Sequence, residues 1–194
     1  MQSDSIGNPF IAEYNFDGQQ IIGSPTTLRY IKVLIDVISL FDIGNFKTVT
    51  ELGVGYGGQC RVLKNALQIE RYNLIDLPEV IALTEKFLTA LNQKGDLRYI
   101  DGTHLYHDVP CDFFISDYAF SELARPVQDM YFDRVLSKAK AGYVTWDGDY
   151  FASYDMYSGY TLDEFVSKIP GANVFPEYPV TTSQDNRLVV WGTK

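Results

Sequence analysis

Cysteine and histidine are scarce in this 194-residue chain, with two of each. Cys60 and Cys111 cannot staple a small scaffold, and both read as buried, reduced thiols. His104 and His107 stand three apart with Asp101 and Asp108 nearby, but the stretch holds Thr, Tyr and Pro without helical spacing and reads as a solvated loop. Basic residues are also few: 16 Lys and Arg face 25 Asp and Glu, giving a net charge of −9 and a pI near 4.6. Most of such a surface repels phosphates, which argues against nucleic acid as a partner. Membrane-length apolar runs are missing too, since the longest candidate, 31–41, is broken by Lys32 and Asp36. The opening MQSDSIGNPF lacks the basic and apolar regions of a signal peptide, so the expected location is the cytoplasm. Without low-complexity tracts and with 46% hydrophobic residues, the chain is expected to form one α/β domain over 1–194, with no room for a separate substrate domain.

What is present centres on 48–58, TVTELGVGYGG. Val49 and Leu52 belong to a short apolar run that reads as a buried strand. Gly53, Gly55, Gly57 and Gly58 then allow a tight turn and close approach of a ligand to bare backbone. The following QCRVLKNALQI has helical spacing through Val62, Leu63, Ala66 and Leu67. Gly53, Gly55 and Gly58 satisfy G-x-G-x-x-G, the dinucleotide fingerprint, whose helix N-terminus holds a pyrophosphate. Glu51 also makes E-x-G-x-G-x-G, and an acid at the strand end suits a cofactor carrying an ammonium and a sulfonium better than one carrying phosphates. Glycines serving only a tight turn are the plainer alternative.

Around this unit the chain reads in order. Residues 1–23 are an arm with one extended piece. Ser24 and Pro25 open a leading helix over 24–41, with Leu28, Ile31, Leu34, Ile35 and Ile38 as its apolar stripe. The core occupies 48–194. A second strand ends at Asp76, 25 positions after Glu51, where a carboxylate can accept from both ribose hydroxyls in either nucleotide-binding class or merely cap the next helix. A helix from 78 to 92 follows, with Val80, Ile81, Thr84, Phe87, Leu88 and Leu91 inward and Gly95 as its stop. A third strand ends at Asp101-Gly102, and a fourth, DFFIS, runs into Asp117, Tyr118 and Glu122. The next helix turns Val127, Met130, Tyr131 and Val135 inward and is closed by Gly142. A fifth strand, 143–146, precedes Asp147. Tyr150, Phe151, Tyr154, Tyr157 and Tyr160 form an aromatic loop, either packed on the sheet edge or serving as a lid or sugar-stacking wall. Thr161 and Glu164 form a capping box. Segments 172–178 and 187–192 read as an antiparallel hairpin.

Taken together, IGNPF, ELGVGYGGQC, YNLIDLPEV, CDFFISDYAFSEL, the Gln128 and Tyr131 pair, GYVTW and NRLVVWG resemble the sugar O-methyltransferases of the class I S-adenosylmethionine-dependent superfamily. Asp117 and Asp147 stand where that pattern has asparagine. The resemblance implies a Rossmann-like sandwich, with a mostly parallel seven-stranded sheet, a C-terminal antiparallel hairpin and helices on both faces. It implies S-adenosylmethionine as cofactor, with expected contacts at Glu51, Gly53, Gly55, Tyr56, Gly57, Asp76, Leu77, Asp101, Gly102, Ser116 and Tyr118. Glu122, then Asp117, is the expected general base. Tyr30, Arg125 and Asp147 are expected to meet the acceptor, a free or glycan-linked sugar, and a homo-oligomer is compatible. Asp117 and Asp147 at adjacent strand ends can also hold a magnesium ion that positions a diol, or simply make a polar, acidic cleft. Two other functions stay open: an NAD(P)-dependent oxidoreductase, which would lack an obvious Tyr-x-x-x-Lys pair, and a non-catalytic methyltransferase-like binding module.

Overall fold

Strands buried on both faces need nearly continuous apolar runs, and such runs build the centre of this fold. The computed structural model describes residues 6–148 and 159–194. Tyr150, Phe151, Tyr154 and Tyr157 of the aromatic loop lie outside those residues. In chain order the elements are β1 (Ala12–Phe16), β2 (Gln19–Gly23), α1 (Pro25–Leu40), β3 (Thr48–Leu52), α2 (Gly58–Ala66), β4 (Arg71–Asp76) and α3 (Pro78–Ala90). They continue with β5 (Asp96–Asp101), β6 (Phe113–Asp117), α4 (Arg125–Arg134), β7 (Ala141–Trp146), α5 (Leu162–Ser167), β8 (Asn173–Pro176) and β9 (Arg187–Trp191). Seven strands form one sheet in the order β5-β4-β3-β6-β7-β9-β8. Pairing is parallel from β5 to β7, whereas β9 runs antiparallel to both β7 and β8. The expected mostly parallel sheet with a terminal antiparallel hairpin is therefore the observed one.

Helices cover both faces. On one, Val33, Val37 and Phe41 of the leading segment, Cys60 and Leu63 of α2, and Phe87 and Leu88 of α3 pack on Val49, Tyr72, Leu74, Phe113 and Ile115. On the other, Tyr131 of α4, Val135 just after it and Phe165 of α5 pack on Leu52, Ile75, Phe114, Val144 and Val189. The capping box at Thr161 and Glu164 forms as expected.

Four local expectations differ from the structure. The arm holds a β1-β2 hairpin, not one extended piece. Its turn residues Asp17 and Gly18 both take positive φ, 48° and 75°, as a two-residue type I′ turn requires. In α1 the buried face is Thr27, Val33 and Val37, while Ile35 and Ile38 are 57% and 47% exposed. Apolar residues surround this helix almost completely, so several stripes fit the spacing, and the position of the sheet selects one. The third helix stops at Asn92 rather than Gly95. Asn92 takes φ 51°, and Gln93 N–H donates to Leu88 O at 2.9 Å, the bond of a Schellman closure. Gly142 does not close α4. It lies inside β7, where the Trp191 ring occupies the space a Cβ would need.

Candidate active site

The chain runs outward from β3 through β4 to β5 and then returns to the other side of β3 as β6. Such a reversal leaves a crevice beyond the carboxyl ends of the strands. The glycine turn lines it. Gly53, at φ 80°, donates its N–H to Ile75 O at 3.0 Å, and a Cβ there would collide with Ala119 Cβ. Gly55, at φ 53°, has open space where its Cβ would be. Its N–H donates to Asp76 Oδ2 at 3.1 Å and its carbonyl accepts from Thr84 Oγ1 at 2.6 Å. Gly53→Ala therefore combines a clash with a left-handed backbone, for an expected loss of about 2–5 kcal/mol in denaturant unfolding. Gly55→Ala meets only the backbone term, about 1–2 kcal/mol.

Asp76 holds the turn and faces the crevice. Besides Gly55, its carboxylate accepts from Leu77 N–H at 2.8 Å, and each oxygen keeps a lone pair for a ligand hydroxyl. Leu77 itself is exposed. Next along the rim, Asp101 accepts from Thr103 N–H and Oγ1 at 2.8 and 2.6 Å. Those bonds hold its carboxyl below the usual range. Gly102 is buried: its N–H donates to Asp76 O at 2.8 Å, and its carbonyl accepts from Tyr131 Oη at 2.7 Å. Tyr131, from α4, thus ties down the end of β5.

Glu51 is 5% exposed and accepts a 2.5 Å bond from the Tyr72 hydroxyl. Burial pushes its carboxyl up to about 8; the Tyr72 bond opposes the shift, and the negative Asp117 and Asp76 add to it. An ordinary glutamate in the unfolded chain is ionised above about 4.3. Between those values the folded protein holds the proton and the unfolded chain does not. The stabilisation from this group is complete below the unfolded value and is lost as pH rises through about 8. A cationic ligand group beside Glu51 draws that proton off. Ligand binding near pH 6.5 is expected to release close to one proton, read calorimetrically from two buffers of different ionisation enthalpy, and Glu51→Gln should abolish the release.

On β6 the buried Ser116 donates its hydroxyl to Leu52 O and accepts from Phe120 N–H, both at 3.1 Å. It supports the turn at 119–122. Asp117 accepts from Thr145 Oγ1 at 2.9 Å, and burial raises its carboxyl. Tyr118 adopts φ 68°, ψ −40°, a conformation costing roughly 1–3 kcal/mol for a residue with a side chain. It is held there from the opposite end of its ring. The hydroxyl donates to Glu177 Oε1 at 2.6 Å and also meets the Thr181 hydroxyl. Buried Glu177 in turn accepts from Asn186 Nδ2 at 2.9 Å, while Asn186 Oδ1 accepts from Gly148 N–H at 3.1 Å. The β8-β9 loop thereby clasps the ends of β6 and β7.

Glu122 and Asp147 stand together on this rim. Burial raises both carboxyls, and Glu122 is raised further by the charge of Asp147. Asp147 N–H donates to Ser121 Oγ at 3.0 Å, which fixes the two strand ends against each other. Tyr30, on α1, has its ring 6.0 Å from that of Tyr56 and against Gly58. Tyr56 also meets Phe87 edge-on at 4.8 Å. Tyr30 thus sits beside the glycine turn. Arg125 lies apart from this group: it donates to Glu164 Oε2 at 2.6 Å and Gly159 O at 3.3 Å, and stacks over Tyr160 at 4.7 Å. Its observed bonds hold segment 159–164 against α4. Buried Gln128 joins the same clasp, donating to Phe120 O at 2.9 Å and accepting from Tyr160 N–H at 2.5 Å.

His104 and His107 are exposed. Among the described residues, no group of three or more His, Cys, Asp or Glu side chains is placed to share a metal ion. Arg29, Tyr72, Thr84, Glu177 and Asn186, not singled out from the sequence as site candidates, are in contact with residues that were. The first stands next to Tyr30; Tyr72 reaches Glu51 through strand pairing, Thr84 reaches Gly55 from α3, and Glu177 and Asn186 reach Tyr118 and Gly148 from the loop between β8 and β9.

No protein-family model and no curated protein sequence matches this chain. Solved structures do. The mitomycin 7-O-methyltransferase MmcR superposes with a TM-score of 0.58 at 13% identity, over 87% of this chain and 54% of that one. This chain therefore spans about half the length of MmcR. The methyltransferase domain of bacterial CtHen1-C gives 0.62 at 14% identity, over 85% and 96% of the two chains. Magnesium protoporphyrin IX methyltransferase (ChlM) from Synechocystis PCC 6803, solved with bound S-adenosylmethionine, gives 0.59 at 11% identity, over 85% and 77%. At these identities the likeness establishes the Rossmann-like methyltransferase fold.

Proposed function

We propose that this chain is an S-adenosylmethionine-dependent O-methyltransferase acting on a hydroxyl of a sugar or sugar-containing acceptor. The observation that carries the reading is the acid-glycine-acid floor: buried Glu51, the open face of Gly55, and Asp76 gripping the turn through Gly55 N–H. A dinucleotide would bring its pyrophosphate to a rim where Asp117 and Asp76 already oppose a further negative charge at Glu51. A ligand with an ammonium and a sulfonium meets attraction there. The residues fit the cofactor in kind: Glu51 for the ammonium, Asp76 for the ribose hydroxyls and Asp101 for the adenine amino group. The sugar acceptor is supported by the resemblance of the SDYAFSEL, DLPEV and GYGGQ stretches.

When bound, the cofactor supplies a methyl group already activated on positive sulfur. The protein must then align the acceptor and manage one proton. Glu122 would take the acceptor hydroxyl proton and hold it on its carboxylate, leaving the oxygen free to receive the methyl group that the cofactor would supply. Its raised carboxyl is closer to neutral pH than an ordinary glutamate, which favours general-base work. Asp117 stands second, because its carboxylate is already bonded to Thr145. Asp147 and Tyr30 are assigned to the acceptor side, whereas Arg125, expected there from the sequence, is engaged with Glu164 and Gly159.

Calorimetric titration with S-adenosylhomocysteine, with NADH in parallel, tests the reading. Saturable binding of the thioether alone is expected, and binding of NADH alone would overturn it. Turnover is expected to persist in EDTA, because among the described residues no group of three or more His, Cys, Asp or Glu side chains is placed to share an ion. Loss in EDTA with recovery on added magnesium would instead assign Asp117 and Asp147 to an ion.

A further inference from the structure

The crevice is strongly acidic, yet one cation in it has an unused donor. Arg29 Nε is buried and has no hydrogen-bond partner among the described residues. Its guanidinium lies 5.8 Å from the centre of the Tyr118 ring, and its charge reaches both Asp117 and Tyr30. No ion pair with Asp117 is formed among the described residues. Lys32, the other cation facing Asp117, is spent: it pairs with Asp36 at 2.8 Å and donates to Tyr143 Oη at 2.9 Å. Arg125 is spent as well, on Glu164. A buried donor of a charged group left without an acceptor is costly, and a guanidinium fork matches a carboxylate with two parallel bonds.

We infer that Arg29 is the carboxylate-receiving residue of the crevice. The inference rests on the methyltransferase reading above. Two sources offer that chemistry: the α-carboxylate at the amino-acid end of the cofactor, and the carboxylate of an acidic sugar acceptor. In the first case Glu51 and Arg29 read the two ends of one zwitterion from opposite sides of the glycine turn. Arg29 also makes the carboxylate tolerable at a rim already crowded with Glu51, Asp76 and Asp117. A residue with this task discriminates ligands by their carboxylate, not by their adenosine or their sugar ring.

The test compares S-adenosylhomocysteine with 5′-methylthioadenosine, which has the same nucleoside and no amino-acid end. Both are titrated into the full chain and into Arg29→Gln and Arg29→Lys. Arg29 Nε has no hydrogen bond to lose among the described residues, so both variants are expected to fold, and their melting temperatures check this. Arg29→Gln should weaken S-adenosylhomocysteine about tenfold or more while methylthioadenosine changes by less than about twofold. Arg29→Lys should fall between, because it keeps the charge and loses the fork. A second arm, with the thioether product saturating, compares D-glucuronate with D-glucose. If thioether affinity is unchanged and Arg29→Gln removes a preference for the uronate, the carboxylate belongs to the acceptor. No selective change in either arm, or equal weakening of both adenosine ligands, overturns the inference. If the unsubstituted chain binds neither adenosine ligand, it is the methyltransferase reading that fails.

Discussion

Glu122→Gln is expected to lower kcat by about 10²–10⁴-fold, the range of a lost general base, with S-adenosylhomocysteine affinity within about twofold of the parent. The substitution keeps the shape of the side chain and removes its basicity. The carboxyl is raised by burial and by Asp147, so the proton-accepting form grows as pH rises. The parent rate should therefore climb through that titration and level off, and this limb should vanish in the variant. Asp117→Asn is the matched comparison. It removes a buried charge that repels Glu51 while an amide oxygen can still accept from Thr145. It is expected to retain turnover within about tenfold. The reverse pattern, with Asp117→Asn inactive and Glu122→Gln active, would transfer the base to Asp117.

Asp76→Ala should weaken S-adenosylhomocysteine by about two orders of magnitude or more. Two effects combine. The ligand loses charge-assisted bonds to its ribose hydroxyls, each worth about 1.5–3 kcal/mol. The protein also loses the acceptor for Gly55 N–H at 3.1 Å and for Leu77 N–H at 2.8 Å, so the turn itself is loosened. Asp76→Asn separates the two, since its amide oxygen can still accept one backbone bond. Calorimetry should place it between the parent and alanine. Equal affinity in all three proteins would remove Asp76 from the site.

The parts of this fold legible in sequence are those encoded locally. TVTEL followed by glycines, the spacing of Asp76 from Glu51, the Thr161 capping box and the terminal hairpin each carry their own chemistry. What failed depends on context supplied from elsewhere. The buried face of α1 is unreadable because Ile31, Val33, Leu34, Ile35, Val37 and Ile38 fit several stripes, and only the sheet decides among them. Gly142 looked like a stop because the ring of Trp191, 49 positions later in the chain, is what demands a bare Cα. The acidic candidates were visible as strand-end residues. Arg29, Glu177 and Asn186 were not, for their relevance lies in what other segments place beside them.

The position of β9 has a consequence for how the chain is made. It follows β8 in sequence but lies between β7 and β8 in the sheet, paired to both. A nascent chain that has emerged only as far as β8 has one edge of β7 unpaired, with nothing to join β8 to the sheet. The clasp from Asn186 through Glu177 to Tyr118 is likewise incomplete until that late segment arrives. The framework of the crevice is thus closed abruptly, once residues 187–191 have been made, and not progressively. Ribosome-stalled chains cut before 187 should expose a sticky β7 edge and depend on holding chaperones.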